Sequence, residues 1–203
     1  MPDGRRGILS TSAVLAPSGA GRGDLIHQPG QRDQSVLTGL SRIAELTLFP
    51  SSRKGNPSGC DYAVAVLIDP DDISGNVVPD GCPGAGMYLK PSPEAVRPGD
   101  DVAFLGAASG YREAVVTAVD MRNLRVDAGN RTTAIFDGVI EISAGSEPCS
   151  RPGDSGAMVW RRSDGSAIGM VFAAAVSTDG VHATYVIPLE TSLAAAGVTW
   201  LTP

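Results

Sequence analysis

From Val102 to Ile187 the chain is cut by turn signals into short apolar runs, and none is long and periodic enough for a core helix. The runs occupy residues 102–105, 113–119, 124–126, 133–136, 139–142, 157–160, 168–176 and 182–187. Pro98-Gly99-Asp100 precedes the first of them, and Asp164-Gly165 and Asp179-Gly180 divide the last three. Asp-Gly between apolar runs is a hairpin signal, because glycine accepts the positive φ that a tight turn requires. Short strands at this close, regular spacing predict a β-barrel or sandwich.

The earlier residues follow the same logic with longer loops. Residues 6–10 read as a strand running into one helical turn over 11–16, stopped at Pro17. Residues 24–27 form a short apolar stretch before the Gln28-Pro29-Gly30 turn, and 35–49 read as one long or two short strands. A polar loop over 51–59 leads to a buried strand over 61–68, closed by Asp69-Pro70. Residues 71–98 are rich in turns and join two halves. The expected organisation is therefore a β-barrel half over 1–80, a connection over 81–98 and a second barrel half over 99–203. Residues 188–196 are rich in Leu and Ala and predict a closing helix, with Pro188 at its first position and Gly197 as its stop.

Composition removes several function classes. The 25 glycines and 15 prolines are spread through the chain, which suits an all-β protein with many turns rather than a disordered tail. A net charge of -6 without a basic cluster argues against a nucleic-acid partner. No apolar run approaches the length of a membrane span. The basic start, Met1 to Gly7, has no apolar stretch behind it and so does not read as a secretory signal. Cys60, Cys82 and Cys149 allow at most one disulfide, and without export reduced thiols in the cytoplasm are expected. In that setting the Asn130-Arg131-Thr132 sequon carries no meaning. The scattered histidines and cysteines lack metal-ligand spacing, and no cofactor is implied.

One loop stands out chemically. Pro152-Gly153-Asp154-Ser155-Gly156 lies between a polar, turn-like run and the apolar Ala157-Met158-Val159-Trp160. Glycines on both sides of Ser155 open conformations closed to residues with a Cβ. Such a loop can hold the hydroxyl outward and turn the N–H groups of Gly153 and Ser155 toward one point, as an oxyanion hole requires. The competing reading is a plain Gly-Asp-Ser-Gly turn.

The surrounding order of features resembles the trypsin-like, chymotrypsin-fold serine peptidases, and is most similar to their bacterial branch. Val115-Val116-Thr117-Ala118-Val119 resembles the hairpin strand ahead of the nucleophile loop. Gly169-Met170-Val171-Phe172-Ala173 resembles the strand bordering the substrate cleft, and Tyr185-Val186-Ile187-Pro188 the final strand before the helix. In the first half, Leu9-Ser10-Thr11-Ser12-Ala13-Val14-Leu15-Ala16 fits the frame Leu-Ser-x-x-His-Val-Leu-Ala, with Ala13 in place of the histidine. Asp61-Tyr62-Ala63-Val64-Ala65 fits the aspartate strand, so the chain order is that of His, Asp, Ser. The resemblance implies two six-stranded antiparallel β-barrels with a short C-terminal helix. The family carries further strands ahead of the histidine strand, so the N-terminal barrel is expected to be incomplete.

The resemblance makes Ser155 the nucleophile, Asp61 the orienting acid, Ala13 the place of the missing base, and Gly153 and Ser155 the oxyanion donors. Alanine has no proton acceptor, and a serine hydroxyl is a poor nucleophile without a base. His27 and His182 lie outside the family's frame and read as surface or structural residues. Lys54 and Lys90, the two lysines, read as loop residues rather than half of a Ser–Lys dyad. Without its base Asp61 has a second reading, a carboxylate capping backbone N–H groups.

Cys149, six residues before Ser155, falls at the floor of the family's specificity pocket. It reads as a neutral pocket base that offers nothing to pair with Arg or Lys, or as a small buried side chain. Ala173, Ala174 and Ala175 are placed along the cleft edge. The sequence thus points to a serine endopeptidase domain that is inactive or strongly impaired, through natural loss of the histidine or deliberate His-to-Ala inactivation. The alternative is a pseudopeptidase that binds peptides or proteins without cleaving them. Its partner is then a peptide or protein, with other domains of a longer chain or an associated protein left open, and neither nucleic acid nor membrane.

Overall fold

Strand β1 (Gly7–Ser10) faces two ways, and this sets where the halves of the molecule meet. Successive side chains of a strand point to opposite faces. Ile8 accordingly packs into one core, with Leu15, Ala44, Leu46, Ala63 and Ala65, while Leu9 packs against the other, around Phe104, Ile142, Val159 and Val186. The end of β1 is therefore held on the seam between two hydrophobic cores. The structure is a computed structural model that describes residues 4–30, 41–50, 60–71, 75–92, 94–127, 133–176 and 180–201.

The first core lies under a sheet of β1, β2 (Leu25–Gln28), β3 (Ser41–Leu48) and β4 (Ala63–Leu67). Its order is β1-β4-β3-β2, so β4 is central. That position explains why β4 reads as an unbroken apolar run: Ala63, Val64, Ala65 and Val66 are all buried. The single-turn helix α1 (Ser12–Leu15) follows β1 directly, and its Leu15 anchors it in the first core.

The second core is enclosed by β6 (Asp101–Gly106), β7 (Gly110–Met121), β10 (Val139–Ser143), β11 (Met158–Arg161), β12 (Ser166–Val176) and β13 (His182–Pro188). These run in the order β11-β6-β7-β10-β13-β12, and pairing of β11 with β12 closes them into a six-stranded barrel. Closure pairs the first part of β12 on both sides, while Ala173 to Val176 pair with β13 alone. Between β7 and β10, β8 (Leu124–Asp127) and β9 (Thr133–Phe136) form a separate two-stranded ribbon. The chain closes on α2 (Leu189–Ala196), ended by Gly197 at φ 63°. This is the all-β, two-barrel type of architecture with a short C-terminal helix expected above, the first half contributing a four-stranded sheet among the described residues.

Two local expectations need correction. Pro188 ends β13 and caps α2 from outside, because its ψ of 137° is extended and the helix starts at Leu189. Lys90 is in a strand, not a loop: with Pro91 it forms β5 (Lys90–Pro91), parallel to β12 through Ser166 and Ala167. Lys54, the sequon and part of the Asp179-Gly180 turn lie outside the described residues. Cys60, Cys82 and Cys149 are all free thiols. Among the described residues no helix is long and apolar enough to cross a membrane.

Candidate functional site

Asp61 stands just ahead of β4, and β4 pairs along β1 with Ser10 opposite Ala63. That pairing brings the carboxylate to the start of α1. The Ser12 N–H donates to Asp61 Oδ1 at 2.8 Å, and the Ser12 hydroxyl donates to the same oxygen. Both flanking residues are tied to α2. The Cys60 thiol contacts the Thr191 carbonyl at 3.7 Å, and the Tyr62 hydroxyl donates to the Ala195 carbonyl at 2.9 Å. Asp61 is thus fixed from both sides on an element of the other half, while its Oδ2 takes no hydrogen bond among the described residues. Burial pushes the Cys60 thiol up to about 11, the Ser192 hydrogen bond opposing it and the Asp61 charge adding to it. Cys60 is therefore a protonated neighbour and not a rival nucleophile.

Ser155 approaches from the second barrel. Gly156 N–H donates to the Val171 carbonyl at 2.8 Å, and Val171 N–H returns a bond to the Ala157 carbonyl at 2.9 Å. These two bonds clamp the loop onto β12. The loop then meets the end of β1. A methyl added at Gly156 would overlap the Ser10 hydroxyl oxygen and lie 3.4 Å from Val14 Cγ2. With φ at +85° an L side chain is strained there, and any methyl would also have to turn the Ser10 hydroxyl aside, so glycine is favoured at 156. Ser10 and Val14 bracket Ala13, and Ala13 is exposed. Ser155 and Asp61 are each half-buried, so all three positions are open to solvent on at least one side.

Asp154, between Gly153 and Ser155, holds the loop's shape. Asp154 is 1% exposed, yet its carboxylate has four donors. They are the N–H groups of Ala108 at 2.9 Å, Ser109 at 3.0 Å and Arg151 at 2.7 Å, and the Ser109 hydroxyl at 2.6 Å. Burial opposes the charge, but the Ser109 hydroxyl and these backbone N–H groups outweigh it and hold the carboxyl below the usual carboxylate range. The β6–β7 turn, not a cation, therefore secures the loop. Gly153 takes φ 112°, and among the described residues neither its N–H nor that of Ser155 has an acceptor. The Ser155 hydroxyl likewise has no hydrogen-bond partner among them.

Cys149 is buried below this loop. Its thiol lies 3.1 Å from the Thr184 hydroxyl, which is 2.6 Å from the Ser150 hydroxyl. The three groups satisfy one another and none is charged. Ala173, Ala174 and Ala175 lie on β12 opposite Tyr185, Thr184 and Ala183, with Ala174 and Ala175 exposed. His27 is in β2, at the edge of its sheet farthest from β1, and pairs with Arg42. His182 begins β13 opposite Val176, and its carbonyl accepts the Ser143 hydroxyl at 2.8 Å. A cavity of about 400 Å³ lies elsewhere, between β1 and the C-terminal residues Val198 to Leu201, and holds none of the candidate side chains. Among the described residues no group of three or more His, Cys, Asp or Glu is placed to hold a metal ion.

Two contributors escaped the sequence. Ser12 reads as an unremarkable helix-start serine, and its partnership with Asp61 spans 49 residues. Ser109 lies 45 residues from Asp154. Only the Ser109-Gly110 turn signal marks the place where it sits.

No known family profile matches the sequence, and no curated protein does either. Solved structures do match. Cellulomonas bogoriensis chymotrypsin superposes with a TM-score of 0.64 at 18% identity, over 97% of this chain and 86% of that one. The fold is that of the chymotrypsin-like serine proteases. A Nocardiopsis protease gives a TM-score of 0.63 at 17% identity, over 98% and 87% of the two chains. Thermobifida fusca protease A gives 0.64 at 17% identity, over 99% and 87%. All three are bacterial, and the likeness extends over both halves of this chain.

Proposed function

We propose that the chain is a serine-peptidase domain in which every part of the hydrolytic apparatus except the general base is retained. Ser155 is the nucleophile, Asp61 the acid that orients and stabilises a base, and the N–H groups of Gly153 and Ser155 the oxyanion donors. Ala13 occupies the place of the base. One observation carries this reading: the Ser155 loop packs, through Gly156, on the two residues that bracket Ala13, while Asp61 engages Ser12 next to it. A carboxylate from one half and a hydroxyl from the other flank a single exposed methyl.

Such a site binds peptide and hydrolyses it poorly. Loss of the histidine from a subtilisin-type triad lowers kcat about 10⁶-fold, and about 10³-fold residual catalysis over water comes from the oxyanion hole and binding. Beyond Val171, β12 pairs on one side with β13 and on the other with nothing among the described residues. That free edge beside Ser155 suits strand addition by an extended peptide, which supports the second reading of a peptide-binding module. The buried Cys149–Thr184–Ser150 cluster supplies no carboxylate that could pair with an Arg or Lys side chain. Ala13→His tests the reading. The variant is expected to gain peptide or ester hydrolysis by about 10³-fold or more, and Ala13→His/Ser155→Ala to lose it. A folded Ala13→His variant without activity refutes the assignment.

A further inference from the structure

We propose that the unmodified chain hydrolyses peptides whose own histidine supplies the missing base. This rests on the reading of Ser155 and Asp61 above and adds a substrate class to it. Two polar groups are left open on the elements that meet beside Ala13: the Ser155 hydroxyl and Asp61 Oδ2 have no partner among the described residues, and Ala13 itself is exposed. The Ser12 N–H and hydroxyl occupy only Oδ1, so the carboxylate is fixed in place with one oxygen left to receive an imidazole N–H. The methyl of Ala13 is exposed, so a ring can reach it from solvent. Exposure lets the ring come from a bound peptide lying along the free edge of β12, which ends beside the same loop.

The steps balance. The peptide's imidazole accepts the Ser155 proton as Oγ attacks the scissile carbonyl carbon, and the oxyanion is held by the Gly153 and Ser155 N–H groups. The imidazolium then gives that proton to the leaving nitrogen as the C–N bond breaks, leaving an acyl-serine and a free amine. Water, deprotonated by the same imidazole or by that of a second peptide, attacks the acyl carbon, and the proton returns to Ser155 as the acid is released. One water is consumed per bond cut, and the base is regenerated.

The test uses a peptide library made by digesting a proteome, incubated with the unmodified chain, with Ala13→His and with Ser155→Ala, and read by mass spectrometry. Ala13→His is expected to cut sites chosen by the pocket alone. The unmodified chain is expected to cut the subset with histidine within two residues of the bond, about a hundredfold faster than matched sites without it. Ser155→Ala should cut neither. Cleavage by the unmodified chain without regard to histidine, or none where Ala13→His cuts, overturns the inference and leaves the peptidase reading standing. A folded Ala13→His that cuts nothing overturns both. Should that variant not fold, added free imidazole decides: hydrolysis of an activated ester must rise in the unmodified chain beyond its rise in Ser155→Ala, and equal rises overturn the proposal.

Discussion

Replacing Gly156 with alanine probes the contact on which the site depends. Two separable penalties follow from the structure. The backbone at 156 has φ +85°, where an L-residue costs roughly 1–2 kcal/mol. The new methyl also overlaps the Ser10 hydroxyl oxygen, although it lies 3.5 Å from Ser10 Cβ and 3.4 Å from Val14, both ordinary contacts. Relieving an overlap in a packed interior costs roughly 1–3 kcal/mol. Gly156→Ala alone should therefore destabilise by about 2–5 kcal/mol. In a Ser10→Ala background the overlapping atom is gone, and only the backbone penalty of about 1–2 kcal/mol should remain. The double-mutant cycle must then show coupling of at least about 1 kcal/mol. Urea unfolding followed by the fluorescence of Trp160 and Trp200 measures it, with constant m-values as the check on cooperativity. Additivity to within about 0.5 kcal/mol would mean that the Ser155 loop does not rest on the end of β1. The hydroxyl and the carboxylate would then not share a site, and the functional reading would fall with the contact.

Two further outcomes test the groups around that contact. Asp154 has a folded pKa below its unfolded value, so its stabilisation is present above about pH 4 and is lost as pH falls through the lowered folded value. Asp154→Asn should therefore lower stability by roughly 1–3 kcal/mol at pH 7, by a margin that shrinks toward pH 3, and a margin constant with pH would refute the account of four donors around a carboxylate. With its thiol pushed up to about 11, Cys60 at pH 8 is thiolate in only about one molecule in a thousand. In a Cys82→Ser/Cys149→Ser background, iodoacetamide should alkylate it at least about tenfold more slowly in the folded chain than in urea, and equal rates would remove Cys60 from its place against α2.

Strand identity was legible in this sequence wherever turn chemistry punctuated it. The run over residues 133–136 coincides with β9, and that over 182–187 differs from β13 by one residue. Extents were less legible, because pairing partners lengthen strands. The apolar run over 113–119 becomes the 12-residue β7, since β6 pairs along its first part from Gly110 and β10 along its last part to Met121. Pro188 falls one position outside the helix because a strand and a helix compete for the same residue there, and β13 takes it through the Gly169 pairing. The candidate triad frame was readable because Ser10 to Ala16 and Asp61 to Ala65 are each local patterns. What secures them is not local. Ser12 to Asp61, Ser109 to Asp154 and Tyr62 to Ala195 each join residues at least 45 apart, and a single serine or tyrosine carries no mark of so distant a partner.

The same contacts predict that the proposed site keeps its form whichever residue stands at position 13. Each hydrogen bond named above is closed without residue 13: Asp154 is held by the β6–β7 turn, Asp61 by Ser12 at Oδ1 alone, and the loop by Val171. Such bonds contribute about 0.5–1.5 kcal/mol each when neutral and more when a carboxylate accepts them. The core beneath is fixed by Leu15 and Leu9, one to each side of the seam, and an exposed side chain at 13 adds little to either. Histidine and alanine at this position therefore differ in chemistry far more than in folding. On the proposed reading, an imidazole placed there, from the chain or from a ligand, should find Asp61, Ser155 and the N–H groups of Gly153 and Ser155 already in position. The expected signature is a change in kcat with little change in the urea midpoint. A large stability change on Ala13→His would instead mean that α1 had been reshaped around the methyl, and that the apparatus had not been kept waiting for a base.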